Sequence, residues 1–363
     1  MLNSTEQTIT FVNPTSSSLS PPRHRPSRSS SPSPSPSPPP PPSRNASLTF
    51  SATRILNGGQ DSVFSAISPA INKWNSGGFN VTVIAYGQTG SGKTHTMMGS
   101  SASPGILRTF CSDLEVPEGS PPVVLKCFEV YKEDVYDLTQ KATPKMTVVD
   151  SGGHTFPAGC NEVECGNGRE LLDAIIASME RRNVGETKMN AASSRGHVLV
   201  EVFRRGDANK VIFVDLAGSE RLAKTGARGG RKKEGITINL GLLVLGKVIH
   251  MLSEGKEHGE NGNVGVFRES NLTRLLKESF LGNTRTVFIG CVNQEEKHAH
   301  ETISTLRYIS RAGTIKTKVG KVESEEERLT REYRAVAVDA RRLARIVVEL
   351  GGEKDELVRK YLK

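Results

Sequence analysis

The chain has 363 residues, 36% of them apolar, and a net charge of +9 from 48 Lys and Arg against 39 Asp and Glu. That length holds one large or two ordinary domains with a real core, and the charge asks for an acidic partner surface without choosing between nucleic acid, lipid and protein. Five cysteines form no C-x-x-C pair, which argues against zinc and a disulfide scaffold and fits a reducing compartment. No apolar run nears the roughly 20 residues of a membrane span, so a soluble protein is expected.

Residues 1–46 hold twelve of the 19 prolines and run through Ser31-Pro32-Ser33-Pro34-Ser35-Pro36-Ser37 into five consecutive prolines. Such a stretch favours extended polyproline and cannot bury a core, so it is expected to be a disordered leader. Inside it, Thr8-Ile9-Thr10-Phe11-Val12-Asn13-Pro14 is strand-like. Further on, Val81-Thr82-Val83-Ile84-Ala85-Tyr86 reads as a buried strand. It leads into Gly87-Gln88-Thr89-Gly90-Ser91-Gly92-Lys93-Thr94, which meets the G-x-x-x-x-G-K-[ST] pattern at every fixed position. Glycines let such a loop wrap phosphates with its N–H groups, the lysine reaches the β- and γ-phosphates, and the threonine hydroxyl faces Mg²⁺. The motif predicts a nucleoside-triphosphate site.

Asn190-Ala191-Ala192-Ser193-Ser194-Arg195-Gly196-His197 precedes the alternating strand His197-Val198-Leu199-Val200-Glu201-Val202-Phe203. Its paired serines suit Mg²⁺ ligation and water positioning; a helix-to-strand turn with hydroxyl caps is the plainer reading. Val211-Ile212-Phe213-Val214-Asp215-Leu216-Ala217-Gly218 is a strand ending in D-x-x-G. There an Asp can hold Mg²⁺ through water while the Gly N–H senses the γ-phosphate. A signalling GTPase shares these two motifs, but no N-K-x-D run follows to read guanine; Asn72-Lys73-Trp74-Asn75 precedes the loop and ends in Asn. A nucleic-acid enzyme is disfavoured, since aromatics make up only 5% and are not interleaved with the basic residues. Leu329, Val336, Leu343, Leu350 and Leu357 recur every seven residues, with Gly351-Gly352 interrupting. They predict either a parallel dimer stalk or one amphipathic helix packed on the preceding domain.

GQTGSGKTHTM, NAASSRGH and DLAGSE, in this order, resemble the phosphate loop, first switch and second switch of the kinesin motor domain. The likeness extends through EVYKEDVYDL, EGITINLGLLVLGKVI, SNLTRLLKESFLGNTRTVFIGCV and ETISTLRYISRAGTIKTK, and EGITINLGLL is similar to the kinesin-4 group. The resemblance implies an α/β fold: a kinesin-type P-loop NTPase motor domain over residues 47–320, its central, mostly parallel sheet flanked by helices, then a helical neck or short coiled coil over 321–363. It implies a microtubule-dependent motor that hydrolyses ATP, the alternative being a kinesin-like binder with impaired cycling. ATP and Mg²⁺ are the implied cofactors. Gly87, Gln88, Thr89, Gly90, Ser91, Gly92 and Lys93 would hold the phosphates and His95 would flank the adenine. Thr94, Ser194 and Asp215 would surround Mg²⁺, with Ser193 beside them in the first switch, and Gly218 would sense the γ-phosphate. Arg195 and Glu220 would pair across the switches to close the site around the attacking water.

Microtubule contact would fall on Arg221, Lys224, Arg228, Arg231, Lys232 and Lys233, with Arg268, Arg274 and Lys277 as a second patch. Residues 312–319 match the neck linker, and the heptads would pair a homodimer. The implied location is the cytoplasm and the microtubule cytoskeleton; neither membrane nor nucleic acid is expected as a partner. Three departures stand out. No strand ending in R-x-R-P precedes residue 48, since Arg23-His24-Arg25-Pro26 has the letters without the strand; Gly196 stands where the family has Ser; Asn271 stands where lysine is usual.

Overall fold

A computed structural model describes residues 7–11, 48–52, 54–56, 58–151, 154–188, 196–220, 240–255, 263–317, 319–320 and 322. They divide into two units, 1–55 and 56–363. In the first, β1 (Gln7–Phe11) pairs antiparallel with β2 (Leu48–Ala52), from Gln7 opposite Ala52 to Phe11 opposite Leu48. The segment 1–46, expected to be a structureless leader, therefore contributes one strand. Its source is the β-branched run Thr8-Ile9-Thr10 closed by Phe11, which suits a pleated surface. Arg23, Arg25 and Pro26 lie outside the described residues.

The second unit runs α1 (Gln60–Gly77), β3 (Asn80–Tyr86), α2 (Lys93–Met97), α3 (Ile106–Asp113), β4 (Val123–Tyr131), β5 (Asp134–Asp137), β6 (Lys145–Ser151), β7 (His154–Ala158), β8 (Val163–Cys165) and α4 (Gly168–Lys188). It continues with β9 (His197–Arg204), β10 (Lys210–Asp215), α5 (Leu240–Ser253), a 3-10 turn (Asn263–Glu269), α6 (Asn271–Leu275), α7 (Lys277–Leu281), β11 (Thr284–Gly290) and α8 (Ala299–Ala312). Among the described residues, nine strands form one sheet in the order β11-β3-β10-β9-β4-β5-β6-β7, with β8 beside β4.

The expectation of a mostly parallel sheet is corrected. Among the described residues only β11, β3 and β10 run parallel, and every other pairing is antiparallel. Connection length accounts for the hairpin pairs, because parallel neighbours need a long crossover and antiparallel ones can be joined by a two-residue turn. Lys132-Glu133 makes such a turn between β4 and β5, with φ of 49° and 68°. β10 returns along β9 after a short loop in the same way.

Helices cover both faces. Val81, Val83 and Ala85 face Ile67, Ile71, Trp74, Phe110, Leu171 and Ile175 from α1, α3 and α4. The alternate residues Ile84 and Tyr86 face Leu245, Val248, Leu272 and Phe280 from α5, α6 and α7. A strand buried on both sides reads as the continuous apolar run seen in the sequence. Pro69 interrupts α1, and the Ser68 hydroxyl donates to the Ser65 carbonyl that proline leaves without its helical donor. Asn167 and Glu170 open α4 as a reciprocal cap: the Glu170 N–H donates to Asn167 Oδ1, and the Gly166 N–H to Glu170 Oε2.

Beyond α8, Ile315 packs against the second core cluster, the Gly320 N–H meets Asn283 Oδ1, and the Val322 N–H donates to the Gly78 carbonyl at 2.7 Å. The heptads lie outside the described residues, and the coiled-coil expectation with them.

Candidate functional site

β3 delivers the phosphate loop at its C-terminal end, and α2 starts on Lys93. Gly90 and Gly92 adopt φ of 77° and 96°, values that only glycine takes without strain. At Gly87 a side chain would collide with the carbonyl of Cys291, the residue following β11. Lys93 is 7% exposed, and its Nζ donates to the Gly87 and Gln88 carbonyls at 2.9 and 2.8 Å. Burial lowers its pKa, while Asp215 and Glu220 oppose that shift. A cation is thus held inside the loop with its head already aimed at the loop's own oxygens.

Asp215 closes β10 opposite Ala85 on β3, beside the loop. Its Oδ2 accepts from Thr94 Oγ1 at 2.6 Å, and its Oδ1 is buried without a partner among the described residues. Burial raises the Asp215 pKa. An orphaned carboxylate oxygen next to a threonine hydroxyl fits an oxygen-ligated divalent cation such as Mg²⁺.

The second switch folds back onto the loop. Glu220 Oε2 accepts the Thr89 N–H at 2.8 Å, Oε1 accepts from Thr89 Oγ1 at 2.5 Å, and the Ser219 N–H donates to the Gly87 carbonyl at 3.1 Å. Glu220 thus places an anion on a phosphate-loop amide, so the donor set accepts negative charge as the motif requires. Gly218 sits where any side chain would meet Thr89 and Glu220, hence its identity. Tyr86 carries a side-chain hydrogen bond to Ser219 and stacks on Tyr308 of α8 with centroids 4.0 Å apart; burial pushes the Tyr86 phenol up to about 12. His95 Nδ1 lies 3.0 Å from Gln60 Nε2, which also donates to the His95 carbonyl.

Gly87 through His95, Asp215, Gly218 and Glu220 are therefore brought together around one loop, Gln88 and Ser91 included through the Ser91 hydroxyl on the Gln88 carbonyl at 2.8 Å. Ser193, Ser194 and Arg195 lie outside the described residues, as do Arg221, Lys224, Arg228, Arg231, Lys232 and Lys233. In the second basic patch, Arg274 is engaged within the fold, reaching Asp150 Oδ2 at 3.1 Å, the Val148 carbonyl at 3.2 Å and Asn271 Oδ1 at 3.1 Å. Asn271 is occupied too: its N–H donates to Glu133 Oε2 and its Nδ2 to the Glu133 carbonyl, both at 2.6 Å.

Sequence reading missed the residues behind the loops. The His197 ring is buried; its Nδ1 accepts the Ala217 N–H at 3.0 Å. Arg182 Nε donates to Glu129 Oε1 at 2.9 Å, and Arg182 Nη2 to the Gly196 carbonyl at 2.9 Å. A charged residue on an otherwise ordinary helix gives no sign of its distant partner. The one available hint was a histidine opening an apolar strand.

A family model described as the kinesin motor domain matches residues 36–315. Kinesin-like protein klp-19 of Caenorhabditis elegans is 37% identical over 298 residues, covering 76% of this chain and 27% of that protein. Chromosome-associated kinesin KIF4 of Xenopus laevis is 38% identical over 285 residues, covering 71% of this chain and 23% of its own length. The chain thus spans about a quarter of the curated relatives it matches. Among solved structures, a KIF14 dimer in its two-heads-bound state, with AMP-PNP and in complex with a microtubule, superposes with a TM-score of 0.68 at 30% identity, covering 80% of this chain and 89% of that one. With a matched family model over most of its length and relatives 37–38% identical, this chain belongs to the kinesin motor-domain family.

Proposed function

We propose that the chain is a microtubule-dependent motor that hydrolyses ATP and couples hydrolysis to microtubule binding and movement. The observation that carries this is the meeting of Lys93, the Thr94–Asp215 hydrogen bond and the Glu220-bound loop amide at the C-terminal ends of β3 and β10. In-line attack by water needs positioning and charge stabilisation more than covalent help, and these groups supply both.

Lys93 and the amides of residues 87–92 bind and orient the phosphates. Thr94, Asp215 and Ser194 are the residues that would hold Mg²⁺, which when bound neutralises charge on the β- and γ-oxygens. Gly218 and Glu220 belong to the loop that must release Thr89 for the phosphates to take its amide. Ser193 and Arg195 complete this assignment from the first switch, and His95, tethered by Gln60, forms the adenine side. Microtubules are the partner, contacted through the basic residues 221–233, because a positive segment suits an acidic track. The heptads offer a seam for pairing two copies, and the cytoplasmic microtubule cytoskeleton is the site of action.

Steady-state ATPase of residues 1–363 with and without microtubules tests the reading. Microtubule stimulation supports it. A folded protein that binds nucleotide and microtubules without turnover overturns it in favour of a non-cycling binder.

A further inference from the structure

Gly196 immediately precedes β9. A Cβ there would run into the Glu129 carboxylate, 2.5 Å from its Cδ and 2.9 Å from its Cγ. Glu129 stands on β4 opposite Val198, so its side chain leans over the start of β9 and fills the volume that glycine leaves empty. From that place it accepts from Arg182 Nε at 2.9 Å, with the Arg182 side chain 5% exposed. The same guanidinium donates to the Gly196 carbonyl at 2.9 Å. One residue on, His197 Nδ1 accepts the N–H of Ala217, in the middle of D-x-x-G. Accepting that bond requires an unprotonated Nδ1, and burial together with the cations Arg182 and Lys93 keeps the ring neutral.

Helix α4, the first residues of β9 and the second switch are therefore joined by consecutive polar contacts that begin at one missing side chain. We infer that Gly196 is a positioning residue: by leaving room for the Glu129 carboxylate it lets Arg182 and His197 fix the loop that carries Gly218 and Glu220. A side chain at 196 pushes the carboxylate off its place on Arg182 and so loosens His197 against Ala217. The effect on turnover rests on the proposed ATP cycle; the brace itself does not.

The test uses Gly196→Ala, Glu129→Asp, the two combined, His197→Ala and His197→Asn in the 1–363 chain. Two readouts are taken, amide hydrogen exchange at Ala217 and kcat with KM for ATP in the presence of microtubules. Gly196→Ala is expected to speed exchange at Ala217 about tenfold. It should lower kcat about tenfold with KM held within about twofold, since the loop is misplaced and not deleted. Glu129→Asp, one methylene shorter, makes room for the new methyl and in the double variant restores both readouts to within about threefold, a coupling that independent sites do not give. His197→Asn, whose amide oxygen can accept from Ala217, keeps the protection that His197→Ala loses. Unchanged exchange in a folded Gly196→Ala, or no restoration by Glu129→Asp, overturns the inference. Should Gly196→Ala fail to fold, equal exchange in the two His197 variants overturns it. If the wild-type chain turns over no ATP, the motor reading falls while the exchange measurements still decide the brace.

Discussion

The Glu220 carboxylate grips Thr89 twice, through the backbone N–H at 2.8 Å and the hydroxyl at 2.5 Å. A residue assigned to the hydrolysis step thus occupies a donor of the nucleotide-binding loop. Glu220→Ala frees that donor. Fluorescent-nucleotide titration is expected to give affinity equal to or tighter than wild type, while phosphate release slows about a hundredfold or more, the scale of losing one transition-state contact. Weakened binding instead makes Glu220 a structural support of the loop.

Lys93→Ala removes the buried cation and takes one donor from each of the Gly87 and Gln88 carbonyls. Turnover is expected to fall at least a hundredfold. Unaltered turnover in a folded variant removes the phosphate-loop assignment.

Thr94 and Asp215 share one hydrogen bond beside an orphaned carboxylate oxygen. Thr94→Val keeps the volume and loses the hydroxyl. A magnesium titration of the ATPase should then show the half-saturating concentration raised about tenfold or more. An unshifted titration curve places the metal elsewhere.

His197 is pushed down to about 3 from 6.5 by burial and neighbouring cations. Above 6.5 the ring is neutral in both folded and unfolded chains and contributes no pH dependence. Below 6.5 the unfolded chain takes up a proton that the folded one refuses, so stability falls as pH drops, until about 3. Between about pH 7.5 and 5.5 this amounts to about 1.4 kcal/mol. Urea unfolding at the two pH values should show that loss diminished by the same amount in His197→Asn. An identical pH dependence in both proteins refutes the neutral buried ring.

Asn271 ties α6 to the Lys132-Glu133 turn, whose two left-handed residues are costly without glycine. Asn271→Ala is expected to destabilise by about 1–2 kcal/mol in thermal or urea unfolding. It should leave microtubule affinity near wild type, because the side chain it removes is spent inside the fold. A drop in affinity without a drop in stability returns position 271 to the interface.

Local chemistry made part of this legible in advance. The run 81–86 and the glycines at 87, 90 and 92 announce strand and loop because both are fixed by neighbours in sequence, and Asp215 with Gly218 follows the same logic. The direction of the other strands was misread, since antiparallel pairing of β4, β9 and β10 depends on turn geometry and long-range register that no motif encodes. Glu129 and Arg182 were invisible for a similar reason: they are 53 residues apart and each is unremarkable alone. The strand at Gln7–Phe11 was legible in its β-branched run, but its pairing with Leu48–Ala52 across the proline-rich stretch was not.

The anchoring of residue 322 also sets a load path. Val322 holds Gly78, two residues before β3, and Gly320 holds Asn283, immediately before β11, whereas the phosphate loop and Cys291 lie at the opposite ends of those two strands. A pull on the chain beyond 322 enters roughly 23 Å from the phosphate loop, seven residues at about 3.3 Å each. Force that crosses these two hydrogen bonds is then led lengthwise along two paired parallel strands toward the phosphate loop and Cys291.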